Sequence, residues 1–136
     1  MDIHGVITGL AGAWNDGDAR RWAEHFTDDV TFVDEIGAVR QGRDAMADAH
    51  QHWFATLYRD STVTIEVSEQ RELAPGVTLA YLEAVITMPS PHPGTMRTAH
   101  TAVVTGGQIT AYHSSIRPDV EGKDLSEVVS VSAGQR

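Results

Sequence analysis

Arg97-Thr-Ala-His-Thr-Ala-Val-Val-Thr-Gly-Gly-Gln-Ile-Thr-Ala-Tyr-His-Ser-Ser-Ile-Arg117 is the stretch that decides the fold. Both arms are rich in Thr, Val, Ile and Ala, and Gly106-Gly107 between them supplies the positive φ of a tight hairpin. With a two-residue loop, Thr105 faces Gln108, Val104 faces Ile109, Ala102 faces Ala111 and His100 faces His113. Opposed residues share a sheet face, as do their neighbours two along. One face then carries Val104, Ile109, Ala102, Ala111, His100, His113, Thr98 and Ser115. It is apolar at the turn and polar at the open end, as expected of a sheet whose far end lines a pocket. One extra residue or a bulge would put the two histidines on opposite faces.

Upstream, the apolar pattern alternates with period two. Val63, Ile65 and Val67 mark a strand over 62–72. After the turn Ala74-Pro75-Gly76, Ala80, Leu82, Ala84, Ile86 and Met88 mark the inner face of a strand over 77–88. Tyr81 and Glu83 fall on its outer face. Pro89, Pro91 and Pro93 lack the ladder donor and predict a rim loop. The first sixty residues read as helices with one early strand. Ile3, Val6, Ile7, Leu10 and Trp14 recur at helical spacing, Asp2 caps the start, and Asn15-Asp16-Gly17 ends the helix. Asp18 caps a short second helix to about Phe26, and Thr27-Asp28-Asp29 reads as a turn. Val30 to Asp34 is a strand with Val30, Phe32 and Asp34 on one face. Ala38-Val39-Arg40 is a short return strand, and a third helix spans roughly 43–58. From Pro118 the chain is polar. Leu125, Val128, Val129 and Val131 suit a short edge element or a loose tail.

Helices followed by a meander of strands predict an α+β fold: three N-terminal helices packed on a curved, mostly antiparallel sheet, enclosing a cone with a pocket at its wide end. The expected organisation is one domain over 1–117 and a polar tail over 118–136. Ten basic residues stand against 19 acidic ones, a formal net charge of −9. That argues against nucleic acid and anionic membrane surfaces as partners. There is no cysteine, which excludes disulfides and thiolate chemistry. No stretch approaches the roughly 20 apolar residues of a membrane span, and no basic leader precedes an apolar run. The expected setting is cytoplasmic.

Ala13-Trp-Asn-Asp-Gly-Asp18, Phe26-Thr-Asp-Asp-Val-Thr-Phe32, Gly42-Arg-Asp-Ala-Met46 and the closing Val103–Tyr112 resemble nuclear transport factor 2-like proteins. The flavour is that of SnoaL-like polyketide cyclases and ketosteroid isomerases. The resemblance covers about residues 3–117. It implies a pocket for an apolar small molecule, chemistry without cofactor or metal, and a homodimer formed through the sheet. Asp34 falls where the isomerases place a proton-shuttling carboxylate, and His100 where they place a donor to the substrate oxygen. Their oxyanion tyrosine falls at Leu10, which has no donor.

Each candidate carries two readings. Asp34, if it points into the cone, is a desolvated carboxylate suited to general-base work; otherwise it caps the turn Glu35-Ile36-Gly37. His100 and His113 are acid, base or donor at the pocket floor, or a solvated cross-strand pair. With Asp34 they would also make a two-histidine, one-carboxylate metal set, the least favoured reading. Trp14, Trp53 and Phe54 are pocket walls for a planar ligand, or core. His50 shares a helix stripe with Met46, Trp53 and Phe54 and would face the cone, whereas His52 is solvated. Ser115 and Thr98 are secondary polar contacts, or ordinary strand surface. The resulting expectation is a cyclase or isomerase acting on a carbonyl-bearing, polyketide-like substrate, with a non-catalytic binding or assembly module as the alternative.

Overall fold

A computed structural model describes residues 2–118 and 125–127 of the chain. Three helices, α1 (Ile3–Asn15), α2 (Ala19–Ala23) and α3 (Arg43–Ala55), accompany six strands: β1 (Phe26–Val33), β2 (Val39–Gln41), β3 (Thr62–Ala74), β4 (Val77–Met88), β5 (Gly94–Thr105) and β6 (Gln108–Arg117). They form one mixed sheet in the order β2-β1-β6-β5-β4-β3. β3 to β6 are the expected antiparallel meander. β1 then joins β6 in parallel and β2 joins β1 antiparallel. The class is α+β, as the order of helices and strands implied.

The helices cover one sheet face. α1 buries Ile3, Val6, Ile7, Leu10, Ala13 and Trp14, the stripe its spacing sets. The Asp2 side chain accepts from the Gly5 N–H, closing the first turn. Asn15 ties the helix end to β3, accepting from the Val63 N–H at 2.7 Å. On the sheet, Ala80, Leu82, Ala84 and Ile86 of β4 point at the helices and are buried. Each large side chain so buried contributes roughly 2 kcal/mol. Gly9 packs closely on His25: a Cβ there would stand 2.3 Å from the ring, which would have to swing aside.

Boundaries differ from expectation in two places. Phe26 opens β1 rather than closing α2, so Thr27-Asp28-Asp29 lies in the strand, not in a turn. Its polar residues sit on an accessible edge: Thr27 Oγ1 bonds Asp29 and Thr110, and Arg43 pairs with Asp28. α3 stops at Ala55, before the expected 58. The tail expectation, with Val128, Val129 and Val131, lies outside the described residues; Leu125 falls in a single helical turn.

The decisive difference is in the hairpin. Gly106 (φ 57°) and Gly107 (φ 80°) make the two-residue turn, and Thr105↔Gln108 and Val104↔Ile109 pair as expected. The register then slips by one. Val103 pairs with Ala111, Ala102 with Tyr112, Thr101 with His113 and His100 with Ser114. A bulge at Thr110 inserts the extra residue. Past it, every β6 side chain is on the opposite face from the regular register. His113 and Ser115 are therefore exposed on the outer face, while Tyr112 and Ser114 are buried. The expected His100–His113 pair is corrected to His100–Ser114, and Ser115 is removed from the inner face with His113.

Candidate functional site

Between the helices and the inner sheet face lies a narrow cavity with an accessible volume of about 20 Å³, room for one water. Its apolar wall includes Trp14, Trp22, Phe32, Val63, Ala84 and Ile86; its polar lining is Glu35, His50, Thr98, His100, Tyr112 and Ser114. A larger open groove of about 720 Å³ lies outside, between α2 and α3. Arg20, Glu24, Arg43 and Asp48 on its walls mix both charges, as a solvated helix surface does. Glu35, His50, His100 and Tyr112, each with a pKa moved by burial, line the inner cavity, so the chemistry is sought there.

β5 and β6 set the sheet side. His100 is held at both ring nitrogens: Nε2 lies 2.7 Å from Thr98 Oγ1 and Nδ1 lies 2.9 Å from Ser114 Oγ. Burial lowers its pKa to about 4, so the ring is neutral near pH 7. A neutral imidazole has one N–H and one lone pair. One hydroxyl therefore donates to the ring and the other accepts from it. The accepting hydroxyl keeps its own proton free for a ligand oxygen. Thr98 is buried at 1 % exposure, so its reading as ordinary strand surface is corrected. Ser114 was missed because only the bulge turns it inward. Tyr112 stacks on Phe32, ring centroids 5.4 Å apart, and burial first, with Glu35's charge, raises its hydroxyl pKa.

The end of β1 sets the second side. Asp34 is buried but does not serve the cavity. Its Oδ1 accepts from the Ile36 and Ala38 N–H groups at 3.1 and 2.9 Å, and its Oδ2 meets Arg40. Burial works to raise its pKa, but the Arg40 bond, the two backbone donors and the Arg40 charge outweigh it and hold the carboxyl below its ordinary value. The expected desolvated base is corrected to a turn cap in an ion pair. Arg40 in turn lies over the Trp53 ring, 4.8 Å from its centroid. Glu35, one residue on, lines the cavity instead. Burial raises its pKa; Asp34's charge adds to this, while its own backbone N–H and Arg40 oppose it. Strand alternation ends at Val33, so no period predicts where Glu35 points.

α2 and α3 close the third side. His50 is 2 % exposed and its Nδ1 lies 2.9 Å from the Met46 carbonyl. Burial lowers its pKa to about 4. Its ring stacks on Trp22 at 4.9 Å and meets Phe32 edge-on at 5.0 Å. Trp14 and His50 thus line the cavity as expected. Trp53 and Phe54 do not; they pack behind His50, at 4.9 and 5.9 Å between ring centroids. His52 is exposed. The two-histidine, one-carboxylate set does not assemble, since His113 is on the far sheet face and Asp34 is committed to Arg40. Among the described residues no three His, Asp or Glu side chains converge as metal ligands. No described helix is long and apolar enough to cross a membrane.

This architecture recurs in solved structures. A domain of unknown function with a cystatin-like fold from Nostoc punctiforme superposes with a TM-score of 0.78 at 20 % identity, covering 98 % of this chain and 93 % of that one. A ketosteroid isomerase-like protein from Erwinia carotovora atroseptica gives 0.71 at 14 % identity, over 85 % and 94 %. A Catenulispora acidiphila protein with a ketosteroid isomerase-like fold, solved in complex with trimethylamine, gives 0.62 at 22 % identity, over 94 % and 92 %. At these identities the likeness is one of fold. No curated protein matches the chain. The family model of the SnoaL-like domain matches residues 7–112, from within α1 to the inward-facing Tyr112. By that match the chain belongs to the SnoaL-like domain family, within the nuclear transport factor 2-like superfamily.

Proposed function

We propose that the chain binds an apolar, carbonyl-bearing small molecule in the inner cavity and moves a proton beside the carbonyl. Glu35 is the base, and the free hydroxyl of the Thr98–His100–Ser114 set is the donor to the oxygen. One observation carries this reading. A carboxyl group whose pKa is raised by burial shares a cavity with a neutral histidine bonded to two hydroxyls. The Glu35 carboxylate takes a proton from the carbon next to the carbonyl. The C–H electron pair becomes the enolate, and its oxygen accepts from the free hydroxyl. The Glu35 acid then returns the proton to carbon. Atoms and charge balance with these groups alone. The aromatic lining suits a planar, polyketide-like skeleton.

The small accessible volume favours a second reading, a non-catalytic module on the same fold. Deuterium wash-in next to the carbonyls of cyclohexane-1,4-dione in D2O separates the two. The acid–base reading expects the protein to accelerate exchange above buffer and Glu35→Gln to remove the acceleration. Exchange at the buffer rate with the unsubstituted protein supports the non-catalytic module. Sheet-to-sheet homodimerisation through the face bearing Tyr81, Ser115 and His113 belongs to this proposal too, and ultracentrifugation checks it.

A further inference from the structure

β2 is an edge strand of three residues, paired with β1 alone. So short a ladder holds a strand weakly. Arg40, in its middle, adds two ties of another kind. Its guanidinium pairs with Asp34 Oδ2 just past the end of β1, and it lies over the Trp53 ring of α3. Trp53 carries the second tie onward, since its ring meets His50 at 4.9 Å. His50 and Glu35 both line the inner cavity. The charge of Arg40 reaches the same two groups. At Glu35 burial leads and favours the neutral acid, Asp34 adds to it, and Arg40 opposes both. At His50 burial again leads, favouring the neutral ring, and Arg40 adds to it against the Met46 bond. The charge of Glu35 is felt in turn, after burial, by Tyr58 beyond α3 and by Tyr112 on β6. His100 on β5 faces the cavity too and is held neutral by burial. Of all these groups only Arg40 is a cation near pH 7. Without it, Asp34 and Glu35 would be adjacent carboxylates with no counter-charge.

We infer that Arg40 is a positioning residue: it clamps the β1–β2 turn to α3 through Trp53 and, by countering Asp34, lets the neighbouring Glu35 carry a negative charge in the cavity. It acts through Glu35 and touches no reacting atom. Its part in catalysis rests on the acid–base reading; its hold on Glu35 does not.

The test titrates the Glu35 carboxyl and the His50 ring by NMR in the whole chain labelled with ¹³C and ¹⁵N. Arg40→Met keeps the stem and removes the charge, and it should raise both midpoints. Arg40→Lys keeps the charge without the planar fork and should bring both back towards the unsubstituted protein. If Arg40→Met does not fold, Asp34→Asn/Arg40→Met is compared with Asp34→Asn, and the midpoints should move the same way. In deuterium wash-in, Arg40→Met should shift the acid limb of the pH profile upward, so that the loss is greater at pH 5 than at pH 8. Trp53→Leu removes the ring and keeps the charge; it should quicken amide exchange at Ile36 and Ala38, whose N–H groups close the turn on Asp34. A Glu35 midpoint that does not move without Arg40 overturns the inference and leaves the acid–base reading standing. So does a wash-in loss equal at both pH values, which reports damage to the fold. Unchanged exchange at both amides in Trp53→Leu overturns the clamp. A Glu35 midpoint that moves in a protein without wash-in sustains Arg40's hold on Glu35 and sinks the acid–base reading instead.

Discussion

Around the end of β1, two adjacent carboxyl groups meet opposite surroundings. Asp34 is given three donors by its own turn and by Arg40, which is pinned over Trp53. Glu35 lines a narrow cavity with rings and hydroxyls on its other walls. Both are shielded from water, yet the net shift is downward in one and upward in the other. Burial alone does not make a reactive carboxylate; burial without compensating donors does. The turn that stabilises Asp34 is also what delivers Glu35 to the cavity, so the structural acid and the proposed base are parts of a single device.

That contrast can be broken from either side. Glu35→Gln should have the largest effect, a loss of roughly 100-fold or more in deuterium wash-in, the usual contribution of a general base. Asp34→Asn, measured alongside, should keep exchange within a few-fold; loss of exchange there and not at Glu35 would reverse the assignment. Asp34→Ala strips the turn of its acceptor and leaves Arg40 uncompensated. It should cost about 2 kcal/mol of stability in urea unfolding, with the slope unchanged. His113→Ala, on the outer face beyond the bulge, should change stability by no more than about 0.5 kcal/mol and leave exchange alone.

The histidines sharpen the same comparison through pH. His50 and His100 have folded pKa values of about 4 against an ordinary 6.5. Above pH 6.5 both states are neutral and the full stability is present. Between 6.5 and about 4 the unfolded chain binds protons that the folded one refuses, so stability falls as pH falls. Asp34, with a depressed pKa, adds stability that is lost only as pH drops through a value below 3.8. Glu35 has the opposite sign: its raised pKa favours the fold below 4.5, and that advantage is lost as pH rises through the folded value. The two histidines should therefore lower the urea midpoint from pH 7 to 5, and His50→Phe should flatten that decline. A midpoint that is constant over that range contradicts the buried neutral imidazoles.

The fold was legible because its carriers are periodic. Alternation in β3 and β4, the helical stripe of α1 and the Gly106-Gly107 turn each follow from local geometry. The site was legible only up to the bulge. Val104↔Ile109 could be read from the turn, but the extra residue at Thr110 reflects how β6 meets β1, and Thr27 Oγ1 bonds Thr110 there. No pattern within the hairpin announces it. Thus His113 and Ser115 were assigned to the wrong face, while Tyr112 and Ser114 went unnoticed. Glu35 escaped because alternation stops where the turn begins.

The parallel pairing of β1 with β6 has a consequence for the order of assembly. Phe26 and Phe32 align with Ile109 and Tyr112, and the Ile109 N–H bonds the His25 carbonyl at 2.8 Å. These strands lie roughly eighty residues apart in sequence, so their loop closure is slow compared with the β3–β4–β5 hairpins. Until the last strand docks, β1 and β2 are a two-stranded ribbon, marginal by itself. A chain emerging from the ribosome should therefore gain hydrogen-exchange protection in 62–105 first, and in 26–41 only after residue 117 is free. The Phe32–Tyr112 stack, and with it the whole cavity, is the last thing the protein makes.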